Sequence, residues 1–155
     1  MSLFDTFNQK PENNFSPSDS RDKKSVFIDY VKLQAYEDGY IDRQEEKKLL
    51  EYAIQLGIGI DEGQSIIWNS AQKENYVIER EVEKQAKDLL ARYASSGGVI
   101  DKKEFNDVVG IFMSACKGKF SDIETRRRLK KIILENHWKV KEGGLFGSNW
   151  FTEIS

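Results

Sequence analysis

The sequence predicts an all-α fold, a bundle of about six helices built from two similar helix-turn-helix repeats. After Lys24, apolar residues recur at spacings of three and four, which is typical of amphipathic helices. Both prolines, Pro11 and Pro17, lie before that point, and no stretch shows the alternation of a half-buried strand. The phrase DGYIDRQE, which begins at Asp38, returns as GVIDKKE from Gly98, and this repetition predicts the two repeats.

The apolar spacing predicts the helices in order along the chain. Their approximate ranges are 24–36, 42–56, 61–73, 76–94, 101–116 and 121–137. The fifth helix has the clearest pattern, because Phe105, Val108, Val109, Phe112 and Cys116 fall on one face at helical spacing.

These helices divide the chain into three parts. Residues 1–23 contain the two prolines among polar residues, and we expect a disordered arm there. Residues 24–138 form the predicted helical domain, with repeats at about 25–75 and 84–137. Residues 139–155 form a tail rich in glycine and aromatic residues, which we expect to dock on the domain or on a partner.

Composition excludes several classes of protein. The chain has 155 residues and a formal net charge of −2, so its overall charge does not favour nucleic acid or an anionic membrane. Its lone cysteine, Cys116, cannot form an internal disulfide, and the first residues lack the pattern of a secretory signal. No apolar run is long enough to span a bilayer. We therefore predict a soluble cytoplasmic protein without membrane insertion.

The repeated phrase has a structural task in both copies. When Gly39 is aligned with Gly98, Asp42 falls on Asp101 and Glu45 on Glu104. A glycine can end one helix in the left-handed conformation, and an aspartate followed three residues later by glutamate forms a capping box for the next helix. Each Asp cap contributes on the order of 1 kcal/mol. Apolar staple residues precede both caps, and Ile100 has an apolar partner in Phe105, whereas Ile41 faces Glu46.

A calcium loop is the alternative interpretation of the phrase, since such loops need glycine, an aliphatic residue and glutamate at similar positions. The first and third ligand positions would then be Gln34 and Tyr36 in the first copy, and Tyr93 and Ser95 in the second. These side chains do not supply the anionic oxygens that calcium requires. We interpret the phrase as a helix terminator followed by a cap.

The first repeat resembles the tellurite-resistance TerB-like helical family. The resemblance rests on Asp38-Gly39 with Ile41, on Leu49-Leu50, and on Leu56-Gly57-Ile58 before the acidic helix start at Asp61. It covers residues 25–75, and residues 85–137 more weakly. It implies a two-repeat helical bundle of a bacterial cytoplasmic protein whose relatives act as interaction or sensing modules rather than as catalysts.

Some relatives in that family are associated with metal ions through acidic surface residues. The corresponding residues here are Asp38, Asp42 and Glu45, and Gly97 stands at the Asp38 position in the second copy. A divalent-metal-responsive module that uses these three carboxylates is therefore the alternative function.

No arrangement of residues predicts catalysis. The only histidine, His137, has no cysteine or second histidine at metal-ligand spacing, and a cation near a helix C-terminus explains it. Cys116 lies on the apolar face of the fifth helix, where cysteine behaves as a small hydrophobe. We predict neither enzymatic activity nor a cofactor.

Two groups of residues are candidates for contact with another protein. Arg127, Lys130 and Lys131 share one side of the basic sixth helix and could contact an anionic partner, although a solvated helix face explains them as well. Phe146, Trp150 and Phe151 lie in the tail, where they cover a groove either of this domain or of another chain. The predicted function is a protein-interaction or adaptor module in bacterial stress response or regulation.

Overall fold

The computed structural model of the protein describes residues 19–143 and 147–155. Six α-helices make up most of this part of the chain, which confirms the predicted all-α bundle. Their bounds are α1 Asp19–Ala35, α2 Arg43–Gln55, α3 Ile60–Glu74, α4 Glu79–Gly97, α5 Lys102–Ala115 and α6 Asp122–Glu135. Most of the predicted N-terminal arm lies outside the described residues, but α1 begins at Asp19, ahead of the predicted start at 24.

Two short strands, β1 Tyr40–Ile41 and β2 Val77–Ile78, pair in parallel, with Tyr40 opposite Val77 and Ile41 opposite Ile78. The sequence did not predict them, because two residues are too few for alternation to be detected. Side chains alternate between the two faces of a strand. Tyr40 accordingly joins one hydrophobic core while Ile41 joins the other, and Val77 and Ile78 divide in the same way.

The two cores define two halves of the molecule. The first half contains α1, β1, α2, α3 and β2 around a core that includes Phe27, Val31, Leu49 and Ile67. The second half contains α4, α5 and α6 around a core that includes Phe112. The small sheet lies between these cores and contributes one side chain of each strand to each of them.

The second half has an extended contact of its own. Ile100, just before α5, forms a parallel bridge with Val140, which follows α6. Ile100 donates its backbone N–H to the Lys139 carbonyl, and its carbonyl accepts from the N–H of Lys141. Each half therefore has the order helix, extended residue, helix, helix, extended residue.

The repeated phrase adopts the predicted caps in both halves, but only one of its glycines ends a helix. Gly98, with φ of 72°, is the C-terminal cap of α4, whereas Gly39, with φ of 63°, lies four residues after the end of α1 at Ala35. Both capping boxes are complete, with Asp42 and Glu45 at the start of α2 and with Asp101 and Glu104 at the start of α5. The N–H of Glu45 donates to Asp42 at 2.7 Å, and the N–H of Asp42 donates back to Glu45 at 2.9 Å.

His137 lies just beyond α6, which ends at Glu135, and not within the sixth helix as predicted. Its backbone is left-handed, with φ of 55°. No helix within residues 19–143 and 147–155 is both long and apolar enough to cross a membrane.

Candidate functional site

A polar cavity between the halves, here called the Tyr40 cleft, has a volume of about 500 Å³. It forms where β1 and the start of α2 from the first half face α4, α6 and the α5–α6 loop from the second. Its lining residues are Asp38, Tyr40, Asp42, Arg43, Gln44, Glu45, Glu79, Glu83, Lys119, Phe120 and Arg128.

Glu79 lies at the base of the hydrogen-bond network in this cleft. Its residue is only 4% exposed, so its carboxylate requires partners. The Tyr40 hydroxyl donates to Glu79 Oε2 at 3.1 Å, and Arg128 Nη1 donates to Glu79 Oε1 at 2.6 Å. Tyr40 comes from the first half and Arg128 from the second, so the buried carboxylate of Glu79 connects the halves.

Arg128 is held by several contacts at once. Besides Glu79, its Nη1 donates to Glu83 Oε1 at 3.1 Å, and its guanidinium lies 4.0 Å from the centre of the Phe120 ring. Partial burial acts to lower the pKa of Arg128, but the hydrogen bonds and charges of Glu79 and Glu83 raise the pKa overall. Glu83 also accepts from Arg43 Nη2, and it therefore bridges two guanidinium groups.

Tyr40 and Cys116 are two groups in or beside the cleft whose deprotonated forms are nucleophiles. The Tyr40 hydroxyl lies 3.8 Å from Cys116 Sγ. Burial raises the pKa of Tyr40 far above its ordinary value, and the nearby Cys116 and Glu79 raise it further. Burial likewise raises the pKa of the Cys116 thiol, although its contact with the Tyr40 hydroxyl acts to lower it. Both groups stay protonated at neutral pH.

The three carboxylates of the metal alternative line this cleft but have other partners. Asp38 pairs with Lys119, and this hydrogen bond lowers the pKa of Asp38. Asp42 and Glu45 form the capping box of α2. Within the described part of the chain, no group of three or more His, Cys, Asp and Glu side chains is placed to hold a metal ion. The metal alternative therefore gains no set of ligands from the geometry.

The aromatic residues proposed for partner contact belong instead to the core of the second half. Trp150 and Phe151 are 9% and 6% exposed, and their rings pack on Phe105 at centroid distances of 5.1 Å and 6.1 Å. The two rings thus cover a groove of this domain, one of the two alternatives for the tail, since burial of such large rings is favourable. Phe146, the third residue of the set, lies outside the described residues.

The tail is held at residues 150–153, where it forms a single turn. The carboxylate of Glu142 accepts from the N–H groups of Phe151 and Thr152 at 2.6 Å and 2.8 Å, and these bonds lower the pKa of Glu142. The Trp150 indole N–H donates to the Lys141 carbonyl at 3.0 Å. A carboxylate therefore caps the N–H end of the turn, as at the start of a helix.

Two of the three predicted basic contact residues hold the other end of this tail. Lys130 donates to the carbonyls of Thr152 and Ile154 at 3.3 Å and 2.8 Å, and Arg127 donates to the carbonyl of Ser155. Lys131, the third residue, pairs with Glu135 instead and lines a cavity between α4 and α6. Arg127 and Lys130 thus contact the same tail segment that carries the aromatic candidates, and Lys130 Nζ lies 5.3 Å from the centre of the Phe151 ring.

Sequence reasoning missed Glu79, Glu83 and Arg43 as members of a site. A buried glutamate at the start of α4 has the same sequence signature as an ordinary acidic residue in a first helical turn. Only the packing of α6 against α4 brings Arg128 to it.

Comparison with known proteins returned no match: no protein-family model, curated protein or solved structure is significantly similar to this chain. The fold and site define an all-α bundle of two halves with a polar cleft between them. The resemblance to the TerB-like family stays a prediction from the sequence.

Proposed function

We propose that this protein is a non-enzymatic protein-interaction module of the adaptor type, and that the Tyr40 cleft is part of its contact surface. The observation that carries the proposal is the state of Tyr40 and Cys116, whose pKa values are both raised by burial. A nucleophile or general base needs a pKa near or below the working pH, whereas the pKa values of these two groups lie above it. Neither group is therefore suited to covalent or base chemistry, and this supports a binding role for the cleft.

The ion pairs of the cleft support the same proposal. Arg128 is fixed by Glu79, Glu83 and the Phe120 ring before any partner arrives. A pre-organised polar surface loses little side-chain entropy on binding, which favours recognition. The TerB-like resemblance implies a bacterial cytoplasmic protein. We therefore include in this proposal a role in the cytoplasm, in bacterial stress response or regulation.

The test uses the full chain as bait in a lysate of the source organism, followed by binding of the purified partner measured by calorimetry. We expect at least one protein to bind the wild-type chain and to bind Arg43→Glu more weakly, because Arg43 is an exposed member of the cleft. Lys48→Glu is the matched control, since Lys48 is exposed on the same helix and does not line the Tyr40 cleft.

Mass spectrometry of both proteins after incubation separates an adaptor from an enzyme. Unchanged masses are the expected result. A partner that is cleaved or modified by the purified chain would contradict the proposal, as would the absence of any protein enriched over empty resin.

A further inference from the structure

A second cavity, here called the Lys87 cleft, has a charge opposite to that of the whole molecule. It has a volume of about 620 Å³ and lies between α4 and α6, with Arg43 of α2 at its edge. The cations Arg43, Lys87, Arg128 and Lys131 line it together with only two carboxylates, Glu83 and Glu135. The cleft therefore has an excess of positive charge on a chain of net charge −2.

The two arginines of this cleft have donors to spare. Arg128 uses Nη1 for both of its carboxylate bonds, and Arg43 uses Nη2 for Glu83. Among the residues that the structure describes, Nε and Nη2 of Arg128, and Nε and Nη1 of Arg43, have no hydrogen-bond partner. A guanidinium that is fixed through one nitrogen and open at the others is suited to bind a further carboxylate.

The two lysines are also available. Lys87 has no ion pair within the described residues. Lys131 lies 3.7 Å from Glu135, but the two side chains are 75% and 60% exposed, and exposed pairs of this kind contribute little. An incoming anion can therefore take Lys131 from Glu135 at small cost.

We propose that the Lys87 cleft binds an acidic segment of a partner protein, a peptide with several Asp or Glu side chains close together. This inference rests on the proposed function and names the chemistry of the partner. Carboxylates of the segment bind Arg43, Arg128 and the two lysines, and its backbone meets Asn136. The Asn136 amide nitrogen already donates to the Ile132 carbonyl at 2.7 Å, which leaves the amide oxygen to accept an N–H of the peptide.

The cleft favours a peptide over a nucleic acid. Nucleic acids bind through many phosphate contacts along an extended cationic surface. Here Glu83 and Glu135 interrupt the cations, and the adjoining Tyr40 cleft, which shares Arg43, Glu83 and Arg128, has more carboxylates than cations. Ile132 adds an apolar contact that suits side chains of a peptide and not a sugar-phosphate backbone.

The experiment measures fluorescence anisotropy of a labelled oligoglutamate peptide titrated with the full chain, at low and at physiological salt. We expect saturable binding by the wild type, weakened by about tenfold in Lys87→Glu/Lys131→Glu, because two favourable charge contacts become repulsive. Lys48→Glu/Lys103→Glu has the same change in net charge at exposed positions outside the cleft, and we expect it to bind within about twofold of wild type.

Lys87→Gln/Lys131→Gln repeats the test without new repulsion, and circular dichroism checks that each variant is folded. Equal weakening in the cleft and control variants would overturn the proposal, as would no binding by the wild type. A single-stranded oligonucleotide that binds more tightly than the peptide, and loses affinity in the cleft variant, would assign the cleft to nucleic acid instead. If a partner recovered by the bait binds the cleft variants as tightly as the wild type, the proposed interaction function still holds. Only the proposal that the Lys87 cleft binds an acidic segment is then contradicted.

Discussion

The two halves of the molecule differ in what they bury at one aligned position, the first turn of the helix that follows the repeated phrase. In the first half this position is Glu46, which is 5% exposed and accepts from Arg80 Nε at 2.8 Å. In the second half it is Phe105, which is fully buried under Trp150 and Phe151. Similar caps and similar turns therefore support a buried ion pair in one half and an aromatic cluster in the other.

The difference follows from what covers each helix. In the first half, β2 leads directly into α4, whose Arg80 reaches back to Glu46. In the second half, the chain after Val140 continues into the tail turn, which brings Trp150 and Phe151 onto Phe105. The tail thus takes the place in the second half that the start of α4 occupies in the first, as a capping element does in a repeat protein.

The largest effect is expected from Phe105→Ala. Removal of a fully buried ring leaves a cavity among Trp150, Phe151 and the rest of the core, and the free energy of unfolding should fall by about 3–5 kcal/mol. The free energy of unfolding is measured by urea denaturation, with circular dichroism as the signal. The exposed Ile111→Ala on the same helix is the control and should cost much less. A loss below about 1 kcal/mol for Phe105→Ala would show that the tail does not pack there.

A smaller effect is expected from Arg80→Ala, which leaves the buried Glu46 without its cation. Arg80 is 32% exposed at its side chain, so water moderates the loss, and we expect about 1–3 kcal/mol in the same unfolding experiment. The double variant Glu46→Leu/Arg80→Leu should recover most of this stability, since apolar pairs replace buried ion pairs well. If the double variant is as unstable as the single one, the two halves are not interchangeable at this position.

The smallest effect is expected from the pH dependence of the tail. The pKa of Glu142 in the folded protein is lowered. The carboxylate therefore stabilises the folded tail at pH values above its unfolded pKa, and this stabilisation is lost as the pH falls through its folded pKa. The indole N–H signal of Trp150 should therefore shift as the pH falls below about 4.5, the ordinary pKa of the carboxyl. Glu142→Gln should give a weaker pH response of this signal, and an identical response in both proteins would contradict a role for Glu142.

The sequence predicted the helices and caps because those signals are local. The apolar face of α5 and the boxes Asp42/Glu45 and Asp101/Glu104 depend only on neighbours within a few residues, and all of them appear as predicted. The start of α1 was placed late because residues 19–23 are polar and carry no apolar periodicity.

The intramolecular neighbours of the candidate contact residues could not be predicted, because these neighbours are distant in sequence. The composition of the tail does not predict whether Trp150 packs on Phe105, as it does in the structure, or on another chain. The cluster of cations on α6 has three different environments that the sequence does not predict. Lys130 binds carbonyls of the tail, Arg128 pairs with Glu79, and Lys131 lines the Lys87 cleft. These side chains differ in direction by a fraction of a helical turn, and only packing fixes which neighbour each one meets.

By itself, the sequence determined an all-α bundle, the two turns that end at Gly39 and Gly98, and the caps that begin α2 and α5. Hydrogen bonds between near neighbours and the burial of one helix face are sufficient to specify these features. Tertiary structure alone decided that β1 and β2 lie between two cores, that Tyr40 and Arg128 share one buried carboxylate, and that the tail completes the second half. Those outcomes depend on long-range contacts, whose free energy arises only when distant segments pack together.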